Sequence, residues 1–173
     1  MRLGVDEAGV TELAGVTEHA RSMATAAAAL LLDSLQDATG LVAPLAPGGG
    51  DANVQGLLAE ISTWAVNALG RPDVPAIWRM LAHNPYHLEA TWRKEAALMA
   101  ERVLPARDKR RVALGVAMAV RAPYMTAYQA AILRWAGDGD RDILEILGVV
   151  DHYTSLNTMS EAMQIESDLR PPV

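Results

Sequence analysis

Apolar residues recur at every third or fourth position over most of this chain, and no segment of useful length alternates between apolar and polar residues. The pattern is clear over residues 11–37 and again over residues 52–69, and it is typical of amphipathic helices. The chain has no Phe and only 5% aromatic residues, so the core must be built from Ala, Leu, Val, Ile and Met. Such a core favours closely packed helices over strands. The sequence therefore predicts an all-α fold.

Helix-ending residues follow the second apolar stretch. Gly70 and Pro72 stop that helix, since glycine ends helices in a left-handed conformation and proline cannot continue them. Asp73 is then predicted to cap a short third helix that has Pro75 in its first turn.

Four further helices are predicted in the second half of the chain. Asn84-Pro85 begins the fourth, because Asn is a good cap and Pro suits a first turn. The fifth covers residues 108–120, and its apolar end (VALGVAMAV) predicts a position at the centre of the fold. The sixth runs from Pro123 to Gly137. Asp138 or Asp140 caps the seventh, which leads into the last helical segment.

Residues 40–51 contain two prolines and three consecutive glycines, a composition typical of a loop or flexible linker. We therefore predict an N-terminal helical extension over residues 1–39, a linker over residues 40–51, and a helical domain over residues 52–173.

Charge and hydropathy limit the partners. The formal net charge of −6 lacks the basic footprint of a nucleic-acid binder. The apolar run over residues 24–32 is too short to span a bilayer and lies too far from Met1 to be a secretory signal. We predict a cytoplasmic protein with neither a nucleic-acid nor a membrane partner.

The available side chains also limit the chemistry. The 173 residues include no cysteine, so this chain has no thiolate nucleophile and no disulfide. His83 and His87 have the spacing of two metal ligands on one helix face, but the helix start at Asn84-Pro85 separates them. We predict no bound metal and no other cofactor.

Arg121, Tyr124 and Tyr128 lie three and four residues apart around the start of the sixth helix, so they share one face. Two phenols and a guanidinium can hold a carboxylate or an enolate-like oxygen. A tyrosine with a shifted pKa can also transfer a proton. In the alternative interpretation both tyrosines pack inward with satisfied hydroxyls and Arg121 is a surface residue.

The largest concentration of basic residues lies around the start of the fifth helix. It comprises Arg102, Arg107, Lys109, Arg110 and Arg111. The sequence leaves two interpretations open: attraction of an anionic ligand, or a solvated face or interface patch.

From residue 83 to about residue 168 the sequence resembles the AhpD-like family, which includes carboxymuconolactone decarboxylases. The resemblance is carried by HNPYHLEATWRKEAALMAERVLPARDKRRVALGVAMAV and AYQAAILRWAGDGDRDILEILGVVDHYTSLN. It covers about half the chain and extends more weakly back to residue 52. It implies an all-α fold that assembles as a homo-oligomer, commonly a trimer or a multiple of one.

This chain departs from the family at the reactive positions. Peroxidase-type members place Cys-x-x-Cys at the start of the sixth helix and a histidine four residues later, where this chain has Arg121-Ala-Pro-Tyr124 and then Tyr128. Their proton-relay glutamate matches Lys109. Decarboxylase-type members also keep the histidine, and their C-terminal Tyr-x-Gly-x-Pro stretch is missing. The resemblance therefore implies the location of a pocket, which the family's last helix often lines and to which we add His152.

The resulting hypothesis is a cysteine-free AhpD-like homo-oligomer that binds a small anionic organic molecule, with acid/base catalysis if it is an enzyme. Arg121 would bind the ligand, and Tyr124, Tyr128 and His152 would be catalytic. A non-catalytic assembly or regulatory protein on the same scaffold is the alternative. A haem or metal protein using His87 or His152 is a third possibility.

Overall fold

The computed structural model describes residues 6–28, 30 and 50–165. Over these residues the chain forms seven helices and no strand, which confirms the prediction of an all-α fold. The helices are α1 (Glu7–Ala27), α2 (Ala52–Leu69), α3 (Ala76–Leu81), α4 (Pro85–Met99), α5 (Ala106–Ala119), α6 (Pro123–Trp135) and α7 (Asp140–Ala162).

Local caps fix the helix boundaries that the sequence predicted best. The side chain of Asp51 accepts a hydrogen bond from Val54 N at 2.9 Å at the start of α2, and Gly70 ends that helix with a φ of 69°. Asn84 accepts from His87 N at 3.1 Å at the start of α4. The predicted bounds of α2 and the predicted start of α4 are both confirmed.

Three predicted helix starts were wrong. α1 begins four residues earlier than expected, because Asp6 caps it by accepting a hydrogen bond from Gly9 N at 2.8 Å. Asp73 does not cap α3; Pro75 stands at that position, and its carbonyl accepts from Trp78 N at 3.0 Å. α5 begins at Ala106 rather than at residue 108, directly after Pro105.

The cap of α7 also differs from the prediction. Neither Asp138 nor Asp140 is the N-cap residue of α7, because Gly139 occupies the N-cap position. The carboxylate of Asp142 accepts a hydrogen bond from Gly139 N at 2.7 Å, and the buried Asp138 is held by arginine side chains. Of the predicted linker over residues 40–51, residues 40–49 lie outside the described residues, as do residues 31–37 at the end of the predicted first helix.

Two helices at the centre of the packing position the site. α5 contacts α1, α4, α6 and α7, and Ala113, Leu114 and Ala117 are no more than 1% exposed. α1 packs against α4, α5 and α6 of its own chain. The largest apolar cluster lies among α1 to α6 and includes the fully buried Ile77 and Trp78.

The last helix, α7, contrasts with the others because none of its residues is buried. Its first half packs on α5, where Ile143 and Ile146 contact the cluster around Leu114. Its second half leaves Tyr153 and Met159 exposed. No helix in the described part of the chain is long and apolar enough to cross a membrane.

Candidate functional site

Tyr124 and Tyr128 stack on one face of α6. Their ring centroids are 6.3 Å apart, with an angle of 16° between the ring planes. The hydroxyl oxygen of Tyr124 accepts a hydrogen bond from Ile77 N at 3.2 Å. The hydroxyl oxygen of Tyr128, a residue only 7% exposed, accepts one from the indole nitrogen of Trp78 at 3.2 Å. Both phenols are thus fixed by donors from the start of α3.

The surroundings keep both phenols protonated. Burial raises the pKa of Tyr124, although the hydrogen bond from Ile77 opposes this effect. Burial raises the pKa of Tyr128 much further, and the charge of Glu95 adds to the increase while Arg110 opposes it. A phenol with a raised pKa can donate a hydrogen bond or a proton, but it is a poor general base near neutral pH.

Arg121 occupies the turn between α5 and α6 with a φ of 56°, in the left-handed region that non-glycine residues rarely adopt. It borders a cavity of about 390 Å³ between α1 and the start of α6. Arg21 and Thr25 of α1 and Tyr124 of α6 border the same cavity. Arg21 and Arg121 therefore border one cavity, and no carboxylate among the described residues forms an ion pair with either.

His152 lies outside this group. It is exposed on the second half of α7, where its ring makes an edge-on contact with Tyr153 at 5.5 Å. It is not among the residues that border the cavity. The structure therefore brings Arg121 and Tyr124 together at the cavity, joins Tyr128 to them only through its stacking on Tyr124, and leaves His152 apart.

A buried ionic network lies on the other side of Tyr128, and the sequence analysis missed it. His19 Nε2 lies 2.7 Å from Glu95 Oε2, and Arg110 Nη1 lies 2.6 Å from Glu95 Oε1. The three residues are 1%, 2% and 7% exposed. Burial raises the pKa of Glu95, but the charge of Arg110 and the hydrogen bond with His19 outweigh burial and lower it to about 2. Glu95 is therefore ionised near neutral pH.

One sequence signal could have identified Glu95. Leu88, Trp92 and Met99 form the buried stripe of α4, and Glu95 lies on that stripe between the last two. A carboxylate in the middle of a buried face needs a positively charged or hydrogen-bonding partner. The spacing thus indicates that Glu95 has a positively charged or hydrogen-bonding partner, although it cannot identify that partner.

The basic run is divided: Lys109 and Arg110 are buried in ion pairs, whereas Arg102 and Arg107 are exposed, as the interpretation of a solvated face predicted for the whole run. Lys109 is fully buried, with its ammonium 2.5 Å from both Glu12 Oε1 and the carbonyl of Ala100. Arg107 and Arg111 both pair with the buried Asp138. Lys109 therefore pairs with α1.

No group of three His, Asp or Glu side chains in the described residues is placed to hold a metal ion. His83 and His87 stand on either side of Asn84, which caps α4.

Comparisons with known proteins define the class of the fold. No protein-family model matches the chain, and no curated protein does. The structure is similar to the crystal structure of the alkylhydroperoxidase AhpD core from Rhodospirillum rubrum, with a TM-score of 0.62 and 25% sequence identity. The similarity covers 74% of this chain and 93% of the other. The chain thus has an AhpD-like fold, as its sequence predicted, and its 173 residues include no cysteine.

The hydrogen bond between Trp78 and Tyr128 gives a first testable prediction. Tyr128→Phe is expected to lower the free energy of unfolding by about 1–3 kcal/mol, because it leaves the buried indole N–H without its acceptor. Urea denaturation of this variant, of Trp78→Phe and of the double variant measures the coupling. The double variant should lose less stability than the sum of the single losses. Additive losses would show that the hydrogen bond contributes nothing.

Proposed function

We propose that this cysteine-free AhpD-like protein binds a small anionic organic molecule in the cavity between α1 and the start of α6. The observation that carries the proposal is the pair of guanidiniums, Arg21 and Arg121, that border one cavity without a described carboxylate partner. Two such cations in a chain of net charge −6 are complementary to a carboxylate or a similar anion.

The remaining cavity wall suits the organic part of such a ligand. Ala24, Ala27, Val120 and Pro123 provide small apolar surfaces. The oxygen of Tyr124 already accepts a hydrogen bond from Ile77, so its own O–H is available to donate to the ligand. α1 supplies Arg21, so under this proposal the N-terminal helical extension is part of the site.

If the protein is an enzyme, Tyr124 is the residue that we propose as proton donor, and Arg121 would stabilise a developing oxyanion. Tyr128 would act indirectly, since it holds the Tyr124 ring by stacking and does not itself border the cavity. His152 enters this site only if the α7 helix of a neighbouring copy supplies it. No step uses a thiol.

We further propose that the protein is a homo-oligomer, built on a trimer as the resemblance implies. The support from the structure is the number of exposed apolar side chains on α7, which include Leu144, Leu147, Leu156 and Met159. Exposed apolar surface of this kind is typical of an interface. A cytoplasmic location also stays a prediction.

Isothermal titration with benzoate and succinate as probe anions tests the binding site. We expect Arg121→Ala to weaken binding by about tenfold to a hundredfold, since a hydrogen bond between charged groups contributes about 1.5–3 kcal/mol. Arg141→Ala is the control, because Arg141 is exposed on α7, pairs with Glu145 and does not border the cavity. Equal affinities in the two variants would remove Arg121 from the site.

Native mass spectrometry of the freshly purified protein, with an absorption spectrum of the same sample, tests the assembly. An oligomer that carries extra mass would support both parts of the proposal. An oligomer without bound mass and without affinity for either probe would instead favour the non-catalytic assembly or regulatory role, to which the exposed face of α7 also points.

A further inference from the structure

A second cleft, of about 380 Å³, lies among α2, α4, α5 and α6. It shares no bordering residue with the Arg21–Arg121 cavity. Its walls are apolar and aromatic, with Trp64 and Trp92 in edge-to-face contact at 5.7 Å and Met99 and Ile132 beside them. Its volume falls in the range of small-molecule sites, about 300–1,000 Å³.

The polar part of this cleft comprises the ion pair between Glu95 and Arg110, and Arg107, which is itself paired with Asp138. Oε2 of Glu95 is engaged by His19. Oε1 lies 2.6 Å from Arg110 Nη1, which also donates a hydrogen bond to Gln129 at 3.4 Å. Apart from this guanidinium, no described group is placed to donate to Oε1, although Glu95 is 98% buried and a carboxylate oxygen can accept more than one hydrogen bond. A buried carboxylate oxygen with spare acceptor capacity therefore borders an apolar cleft.

We propose that this cleft binds a small uncharged ring compound bearing a hydroxyl group, of the phenol class, whose O–H donates to Glu95 Oε1. An ionised carboxylate only accepts hydrogen bonds, so the ligand must be a donor. The charge of Glu95 is already balanced by Arg110, whose guanidinium lies 5.6 Å from the Trp64 ring centroid. An ammonium would add an uncompensated charge, and an anionic ligand would face the carboxylate.

The aromatic walls explain why the ligand should carry a ring. Trp64 and Trp92 stand edge to face, with 73° between their planes. A flat ring beside them can make offset or edge contacts of the kind that aromatic pairs prefer. An aliphatic alcohol could also donate a hydrogen bond to Oε1, but it has no ring to make these aromatic contacts.

Fluorine NMR of protein labelled with 5-fluorotryptophan tests the proposal, with p-cresol as the probe. The four tryptophan signals are assigned from single Trp→Phe variants. We expect p-cresol to shift the Trp64 and Trp92 signals. Toluene, which has the ring without the donor, should bind about tenfold or more weakly. p-Toluate should not shift these two signals. Equal affinity for p-cresol and toluene would overturn the role of Glu95.

Two alanines of α4 provide a matched pair of variants. Ala96 borders the cleft, whereas Ala97 is exposed on the same helix and does not border it. Ala96→Leu should abolish the p-cresol shifts, and Ala97→Leu should retain them. Shifts that survive in Ala96→Leu, or their absence in the unmodified protein, would overturn the proposed site.

Glu95→Gln tests the acceptor directly, and it should reduce p-cresol affinity by about tenfold while toluene affinity stays unchanged. If this variant does not fold, the comparison of Ala96→Leu with Ala97→Leu still decides the question. Arg121→Ala should leave p-cresol binding intact, because Arg121 does not border this cleft. This site can therefore fail or hold independently of the anion site.

Discussion

Glu95→Ala is expected to lower the free energy of unfolding by about 3–5 kcal/mol, the cost typical of removing one partner from a buried ion pair. The substitution leaves the guanidinium of Arg110, only 7% exposed, without its carboxylate. It also removes the 2.7 Å contact with His19, which joins α1 to α4. Both losses act on groups that water cannot readily reach, so solvent compensates for little of the change.

Urea denaturation at pH 7 measures this loss, with Glu89→Ala as the control on the same helix. Glu89 is exposed, and its replacement should change stability by no more than about 0.5 kcal/mol. A loss below about 1 kcal/mol for Glu95→Ala would contradict the buried network.

The same network sets the pH dependence of stability. The pKa of Glu95 falls from 4.5 to about 2 on folding, so the ionised carboxylate stabilises the folded state. This contribution is fully present above about pH 4.5 and is lost as the pH falls towards 2. Its size is about 3 kcal/mol. The difference in stability between the unmodified protein and Glu95→Ala should therefore narrow over this pH interval.

The helices were predictable where their signals are local. Asp51 and Gly70 lie directly before and after α2, so both ends of this helix can be predicted from the adjacent residues. The predicted cap of α7 was wrong. Asp142 accepts a hydrogen bond from Gly139 N, and Asp138 forms an ion pair with Arg111 of α5. Which of several nearby aspartates caps a helix depends on tertiary contacts, and the spacing of residues in the sequence does not reveal these contacts.

The candidate site likewise has contacts that the sequence predicts and contacts that it does not. Tyr124 and Tyr128 stack because they lie one helical turn apart, which the sequence states directly. His19 and Glu95 lie 76 residues apart, and no periodicity links them. The burial of Lys109 was missed for the same reason, since its partner Glu12 lies 97 residues away in the sequence.

A row of aromatic rings connects the two cavities. Tyr124 borders the first cavity and stacks on Tyr128. Tyr128 lies 6.3 Å from Trp64, which borders the second cleft with Trp92. Trp78 packs edge-on to Trp92 at 5.2 Å and donates to the hydroxyl of Tyr128. Trp78 thus supports the row of rings that forms the wall between the two cavities.

Trp78→Ala should accordingly be among the most damaging single substitutions, with a loss of about 3–5 kcal/mol in the free energy of unfolding. The ring is fully buried, so its removal leaves a cavity that the surrounding helices can close only in part. Tyr128 loses its hydrogen-bond donor, and Trp92 loses its edge-to-face neighbour. Thermal unfolding followed by circular dichroism, together with urea denaturation, measures the loss.

Trp135→Ala is the control that separates burial from aromatic content. Trp135 is 60% exposed and donates a single hydrogen bond to the carbonyl of Asn67. Its replacement should cost less than about 1.5 kcal/mol, since one hydrogen bond and a partly solvated ring are lost. Equal losses for the two variants would show that Trp78 does not support the wall between the cavities. A loss confined to Trp78→Ala, with both probe affinities reduced in that variant, would show that one buried ring stabilises both sites.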